Sequence, residues 1–348
     1  MRLTTCYRLA RTNTFRLGSG KLFQKPKRKA SEAGPEFGGN MQNWEKGLRR
    51  LALADEGYSF CQTDQSGADA LIVAYLCPPG RFRDLFLYGI KPHVYIGVFF
   101  HEHWVKQFPC VTEFATIPIK DLTKHPQWPA FAKAVAASDE NPSASRYYYL
   151  YKKTCHSGNY GIQKDTFVEA ILADSGGKVV LSPQQGDNLL HRYRDVAFPE
   201  LYAFHRYVES TLERTGELRN LFGYPRRFRS LKHDIKEAYA FIPQSTVGCI
   251  TNLAVIAMDA YIHEHKLDWT ILNNCHDSYL VQAPDSEILA CAKKMQEFIN
   301  IEMTAPRGEV FRMRSASSIG KNWGSFYKRK YDGDVKEENL DGLVETKL

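Results

Sequence analysis

The chain has 348 residues, 43% hydrophobic and 24% charged, the balance of an ordinary globular protein with room for one large domain or two modest ones. Its formal charge of +7 is weak support for a polyanionic partner, and its eight cysteines form no CxxC pair, which argues against a zinc ribbon or a disulfide framework. No run approaches the roughly 20 uninterrupted apolar residues that a membrane span needs, and the opening MRLTTCYRLARTNTFRLGSG carries arginine without an apolar core, unlike a secretory signal.

Residues 1–50 are polar, basic and rich in Gly and Ser, and read as loop with little core of their own. Their KPKRK run reads as a nuclear signal, a loop against a polyanion or a solvated insertion. YSFCQTDQSGADALIVAYLC begins as a strand and continues as a buried helix over Ala68–Leu76, with Pro78-Pro79-Gly80 as its stop. A mixed helical region reaches to about residue 240 and includes ELYAFHRYVESTLERTGEL, whose apolar positions recur at helical spacing. CITNLAVIAMDAYIHEH is a further, largely buried helix. WTILNNCHDSYLVQA reads as a hairpin, with arms at Trp269–Leu272 and Tyr279–Val281 and with His276 and Asp277 near its turn. A helix is expected over Glu287–Met303, then a loop, a short strand, a basic cluster at Lys328–Lys330 and an acid-rich tail from Tyr331. There is no internal repeat. The two HEH triplets, at His101–His103 and His263–His265, place their histidines i, i+2, so neither pair shares a helix face, and both read as solvated surface.

Asp64 stands where a strand hands over to a helix, and Asp277 at a hairpin turn. From both places a carboxylate can emerge from a rigid sheet edge. Hard cations such as Mg²⁺ take oxygen ligands and keep several waters, so two converging carboxylates plus substrate phosphates make a plausible site. Taken alone the pair is weak, because an Asp at a turn is ordinarily a turn or capping residue.

Read in order, the surrounding blocks resemble the family A (DNA polymerase I-like) DNA polymerases, including phage members. TDQSGADALIVAYL resembles motif A, YKKTCHSGNYG motif B, and HDSYLVQAP motif C. LFGYPRR and AFIPQSTVGCITNLAVIAM resemble the Gly-Arg-Arg-Arg and Pro-x-Gln-x-Thr segments between motifs B and C. TNTFRLGSG and NMQN resemble the Thr-x-Thr-x-Arg and Asn-Leu-Gln-Asn signatures that precede motif A, and SIGKNWGSF the closing Gly-x-Asn-Trp. Any one block is weak; together they span roughly residues 12–327 in family order.

The resemblance implies the site residues. Asp64 and Asp277 would be metal ligands for two Mg²⁺ ions, with Mn²⁺ able to substitute. Lys152, His156 and Tyr160, at i, i+4 and i+8, share one helix face, which would meet the incoming nucleotide, with Lys152 on its phosphates. His156 departs from the usual aromatic residue, and Tyr148 stands where the family has Arg, one turn before Lys152; Lys153 could share the role of Lys152. Asp69 stands for a Glu that limits space at the sugar 2′ position, and His93, in KPHVYIG, matches a phosphate-contacting histidine. Arg16, Gln42, Asn43, Arg226, Arg227, Gln244 and His276 match residues on the primer-template. Ser278 replaces a third carboxylate.

The implied fold class is α+β: a right-hand polymerase palm, an antiparallel sheet with flanking helices, plus helical fingers, with thumb and exonuclease domains absent. The expected division is a basic lead-in over 1–50, palm over 51–80, mainly fingers over 81–225 with motif B at 146–161, palm over 226–330 with motif C at 275–278, and a disordered acidic tail over 331–348. The implied activity is template-directed DNA synthesis from dNTPs on primer-template DNA, by a C-terminal fragment or split-gene product in the cytoplasm, away from any membrane. A separate thumb or exonuclease fragment, or a processivity factor, would be a further partner. An inactive primer-template-binding remnant and a single-subunit RNA polymerase are the alternatives. No exonuclease carboxylates are visible, so no proofreading is expected of this chain.

Overall fold

A computed structural model of the protein describes residues 6–8, 12–20, 41–44, 46–137, 145–324 and 344–346. The KPKRK run and the Lys328–Lys330 cluster lie outside them. The chain opens with β1 (Cys6–Arg8), β2 (Gly18–Gly20), a 3-10 turn at Met41–Asn43, α1 (Lys46–Arg49), β3 (Tyr58–Gln65) and α2 (Ala68–Leu76). Helices follow: α3 (Arg81–Leu87), α4 (Pro92–Tyr95), α5 (His101–Trp104), α6 (Val111–Phe114), α7 (Ile119–Leu122), α8 (Trp128–Ala137) and α9 (Ser145–Asn159). The helical run closes with α10 (Lys164–Asp174), α11 (Pro183–His191) and α12 (Leu201–Thr215). Then come β4 (Glu217–Arg219), β5 (Pro225–Arg227), the long α13 (Leu231–His265), β6 (Thr270–Cys275), β7 (Ser278–Pro284) and α14 (Ile288–Ile299). Strands β8 (Glu302–Thr304), β9 (Val310–Arg312), β10 (Ser315–Gly320) and β11 (Val344–Thr346) end it.

Two compact units result: one of residues 1–68, 220–223 and 244–348, the other of 69–219 and 224–243. The first unit is built on a five-stranded sheet in the order β11-β10-β3-β7-β6, with every neighbouring pair antiparallel. β3 lies at its centre and is buried along almost its whole length, its polar Ser59, Gln62, Thr63 and Gln65 included. Helix α14 packs on β3, β7 and β10 through Cys291, Ala292, Met295 and Ile299, and its Met295 carbonyl accepts from the Tyr279 hydroxyl at 3.1 Å. The helix stops at Ile299, short of the expected Met303, which lies instead in β8 and is buried there on a period-2 pattern. Within the tail expected to be disordered, Val344–Thr346 pairs with β10 and covers an edge that would otherwise present bare backbone donors and acceptors.

The second unit is helical around an aromatic core, in which Trp104, Phe108, Phe114, Trp128 and Phe131 meet mostly edge to face. α12 buries Leu201, Phe204, Val208 and Leu212 at the helical spacing expected of its sequence, and Gly216, at φ +66°, closes it. α9 ends in a Schellman motif: the Ile162 N–H reaches the Ser157 carbonyl at 3.4 Å and the Gly161 N–H reaches Gly158 at 3.3 Å, with Gly161 at φ +65°. A Cβ on Gly161 would come within 2.9 Å of the Tyr239 ring, so the position needs glycine twice over.

α13 runs 35 residues through Pro243, which the sequence reading did not foresee. His233–His265 is long and apolar enough to cross a membrane by length and composition, but 67% of its most apolar stretch is buried inside the protein, as in the core helix of a globular unit. Cys61, Cys77, Cys110, Cys155, Cys249, Cys275 and Cys291 are free, and of these all but Cys110 are buried.

Candidate active site

In the first unit the sheet brings the two aspartates together. Antiparallel register sets Asp64, the penultimate residue of β3, directly opposite Ser278, the first of β7. Asp277 is therefore one residue away, and the next ladder bond runs from the Gln65 N–H to the Asp277 carbonyl at 3.0 Å. Asp277 is exposed and Asp64 half-buried, so both carboxylates stand at one sheet end where solvent enters.

The turn that carries Asp277 has two residues, His276 and Asp277, between the paired Cys275 and Ser278. His276 takes φ +66°, and the Asp277 N–H donates back to the Cys275 carbonyl at 2.8 Å, a γ-turn-like closure that a non-glycine residue adopts at a cost. The His276 carbonyl is held from below by Thr251 Oγ1 at 2.9 Å, and Thr251 also accepts from Gln65 Nε2 at 2.7 Å. Strand end, turn and helix α13 are thus tied at a single threonine. The turn also leaves His276 Nδ1 buried without a partner among the described residues. Burial, then the nearby Arg16, pushes the His276 imidazole below its ordinary range, so it is neutral at pH 7.

Asp64 has its own support. Trp323 Nε1 donates to Gln62 Oε1 at 2.6 Å, which fixes which way the Gln62 amide faces. Its Nε2 then donates to Asp64 Oδ1 at 3.0 Å and to Ser278 Oγ at 3.2 Å. Ser278 is 2% exposed and occupied by this contact, so it is not turned to solvent beside the two carboxylates.

The N-terminal segment straps onto the same end of the sheet. The Phe15 carbonyl accepts from Asn252 Nδ2 at 3.1 Å, Asn252 Oδ1 accepts from Asn274 Nδ2 at 3.2 Å, and the Asn274 carbonyl accepts from Gln42 Nε2 at 2.6 Å. Gln42 Oε1 is taken by the Ser19 N–H at 2.8 Å. Gln42, expected on the primer-template, is 5% exposed with both ends of its amide engaged, and its side chain braces β6. Asn43 beside it is exposed, and Arg16 and Gln244 are half-buried. Arg16 crosses α13 at Gly248, where a Cβ would come to 3.0 Å from its Cγ and 3.2 Å from the Thr14 carbonyl.

In the second unit, Lys152 and His156 are exposed on one face of α9, and Tyr160 is half-buried at its end, its ring 5.6 Å from that of His156 and edge-on to it. Lys153 is turned away to Asp174 at 2.5 Å and does not double for Lys152. His93 lies beside this face. Burial, with help from Lys91 and Lys152, lowers its pKa to about 4. Asp69 is half-buried in the first turn of α2. Arg226 is paired with Glu237 and sits over the Phe228 ring, 4.4 Å from its centroid, whereas Arg227 is 88% exposed with Glu217 at 3.5 Å. His103 stacks on Tyr147 at 4.1 Å, and His263 turns to the Asp259 carbonyl, so the HEH triplets have ordinary helical roles.

Among the described residues no three His, Cys, Asp or Glu side chains cluster as a metal cage. The two carboxylates fit a hard cation that completes its shell with water and substrate oxygens. Sequence reasoning missed Gln62, Trp323, Thr251 and Asn274; of these Trp323 and Thr251 lay in motif blocks quoted for the resemblance, though neither was singled out there.

The sheet of the first unit thus carries two adjacent carboxylates at one end, and the comparisons identify the fold. The chain matches the POL domain of Pol1 from M. smegmatis, solved in complex with DNA primer-template and dNTP, with a TM-score of 0.64 and 16% identity over 93% of this chain and 48% of that one. The fold is that of a polymerase domain. In sequence the chain is 26% identical over 140 residues to the DNA polymerase of Bacillus phage SP01, a match that takes in 38% of this chain and 15% of the phage protein. It thus spans about half of the solved polymerase chain and a smaller share of the phage enzyme. No protein-family model matches. The two likenesses bear out the resemblance to family A DNA polymerases drawn from the ordered motifs.

Proposed function

We propose that the chain carries the palm and fingers of a DNA-directed DNA polymerase, and that it extends a primer 3′-hydroxyl with deoxynucleoside triphosphates, releasing pyrophosphate. The observation that carries this is the register of β3 on β7, which sets Asp64 one ladder step from Asp277. In this reading the first unit is the palm and the second the fingers.

Asp64 and Asp277 would hold two Mg²⁺ ions, which when bound activate the 3′-hydroxyl and stabilise the leaving pyrophosphate. The chain's own residues do the rest. Gln62 and Thr251 hold the carboxylates at fixed spacing, so little reorganisation is needed at the moment of reaction. Lys152 neutralises charge on the triphosphate, His156 and Tyr160 flank the nucleotide, and Asp69 narrows the space at the sugar 2′ position. Arg16, Asn43, Gln244 and His276 face the primer-template, where minor-groove N3 and O2 acceptors let a donor check pairing without reading sequence. Arg227 serves a phosphate.

Primer extension with dNTPs and with rNTPs tests the reading. Asp64→Asn and Asp277→Asn should each lower the rate by at least about 10²-fold while leaving primer-template affinity within a few-fold. Extension indifferent to both substitutions would sink the carboxylate assignment. DNA binding with no extension by the unaltered chain would favour a binding remnant, and equal use of rNTPs an RNA polymerase.

A further inference from the structure

The carboxyl end of α9 is held from outside the helix by three other elements. Arg192–Ala197 forms a π-helical turn, an uncommon geometry that recurs at functional positions. Its Tyr193 seats its ring in a notch of α9: a Cβ on Gly158 would come within 2.5 Å of Tyr193 Cδ1, so only glycine admits the ring there. From that notch the Tyr193 hydroxyl donates to Asn159 Oδ1 at 2.6 Å, with Tyr193 fully buried and Asn159 2% exposed. The next residue of the turn, Arg194, donates through Nη1 to the Ile162 carbonyl at 3.3 Å. From α12, His205 Nε2 meets the Asn159 carbonyl at 2.9 Å, and because a carbonyl only accepts, the ring proton sits on Nε2. The His205 ring lies 4.3 Å from that of Tyr239 in α13, the ring that closes on Gly161.

Tyr160 is therefore bracketed. The residue before it is fastened by side chain and carbonyl alike, and the residue after it is seated on an aromatic ring. Tyr193, Asn159, His205 and Tyr239 are all buried, so they act on Tyr160 from inside the unit. We propose that Tyr193 and His205, acting through Asn159, are positioning residues that fix Tyr160, and that this clamp sets how strictly the chain selects a correctly paired nucleotide. A wall discriminates by shape only as far as it resists displacement: a mispaired base moves a loosely held ring at little cost and a clamped one at more. Loss of one buried hydrogen bond is then felt chiefly by the wrong nucleotide. The role of the clamp rests on the polymerase reading, to which it adds Asn159, Tyr193 and His205.

Single-nucleotide primer extension opposite a fixed template base, with the paired and with a mispaired dNTP, tests this. Tyr193→Phe and His205→Phe each remove one donor and keep a ring, and thermal melting checks that they fold; they act at different groups, so either alone decides. Each should lower the ratio of kcat/KM for the paired over the mispaired nucleotide about 5- to 10-fold, with kcat for the paired one changed less than about two-fold. Tyr193→Phe combined with Asn159→Ala should be no worse than the poorer of those two single variants. Phe114→Leu, which thins the aromatic core of the same unit, should lower the melting temperature and leave the ratio unchanged. An unchanged ratio in either folded donor-removal variant, or an equal loss in Phe114→Leu, would overturn the proposal. Failure of the unaltered chain to extend any primer would instead defeat the polymerase reading itself. Fluorine NMR of a fluorotyrosine placed at Tyr160 would then still decide the clamp: its resonance should shift or split in Tyr193→Phe and His205→Phe but not in Phe114→Leu, and no change in the first two would overturn it.

Discussion

At the scale of single residues, the carboxylate pair depends on neighbours that never meet solvent. Gln62 is the clearest: its amide is oriented at one end by Trp323 and serves Asp64 at the other. Gln62→Leu should cost about 1–3 kcal/mol in urea unfolding, because Trp323 Nε1 and Ser278 would be left buried and under-bonded. It should also raise several-fold the Mg²⁺ concentration that gives half-maximal synthesis. His93 makes a different prediction, in pH. Its folded pKa, about 4, lies below the ordinary 6.5, so between those values the unfolded chain binds the extra proton. The native state therefore loses stability from this group as pH falls from about 6.5 to 4, and has lost the full amount below 4. His93→Phe should flatten that part of the stability–pH curve, read as the difference between the two proteins. A Lys152→Met variant should raise the His93 pKa measured by NMR, since Lys152 is among the groups that depress it.

At the scale of elements, turns and helix ends set the geometry. His276 pays for its left-handed backbone, and its Nδ1 is stranded as well. His276→Gly should therefore leave stability unchanged or raise it by up to about 1 kcal/mol, while primer extension falls, which steady-state rates and chemical denaturation would show together. Gly161→Ala should do the opposite. With φ +65° and the Tyr239 ring at 2.9 Å, it should destabilise by about 1–3 kcal/mol and loosen the end of α9 that carries Tyr160. How much of this was legible differs by element. The strand-to-helix handover at Asp64 and the hairpin at Asp277 could be read, because a buried run ending at Pro78-Pro79-Gly80 and two β-rich arms about a polar centre are local signals. The end of α14 could not, since Met303 is apolar on either period. Nor could the extent of α13: Pro243 costs a helix about 3 kcal/mol, and only burial of Phe241, Ile242, Val247 and Ile250 on either side offsets it.

At the scale of the whole molecule, what the sequence hides is register. Nothing local says that Asp64 lies opposite Ser278, or that Trp323 reaches Gln62 across 261 positions; the order of the motif blocks implied proximity, and the antiparallel sheet supplies the geometry. Charge is similar. The total of +7 is modest, but its cations are not equivalent. Arg227 is exposed, whereas Arg226 is spent on Glu237 and Phe228. In anisotropy titrations of primer-template over about 50–200 mM salt, Arg227→Ala should reduce the slope of log affinity against log salt by about 1. Arg226→Ala should leave the slope nearly unchanged and lower the thermal midpoint.

The bond from the Gln65 N–H to the Asp277 carbonyl also turns one backbone amide into a clock. Its proton can exchange with deuterated water only when β3 and the hairpin turn part, which is the same motion that spreads the two carboxylates. The exchange rate of this single amide, followed with and without Mg²⁺, reads the opening of the candidate site directly, with no substrate, label or turnover required.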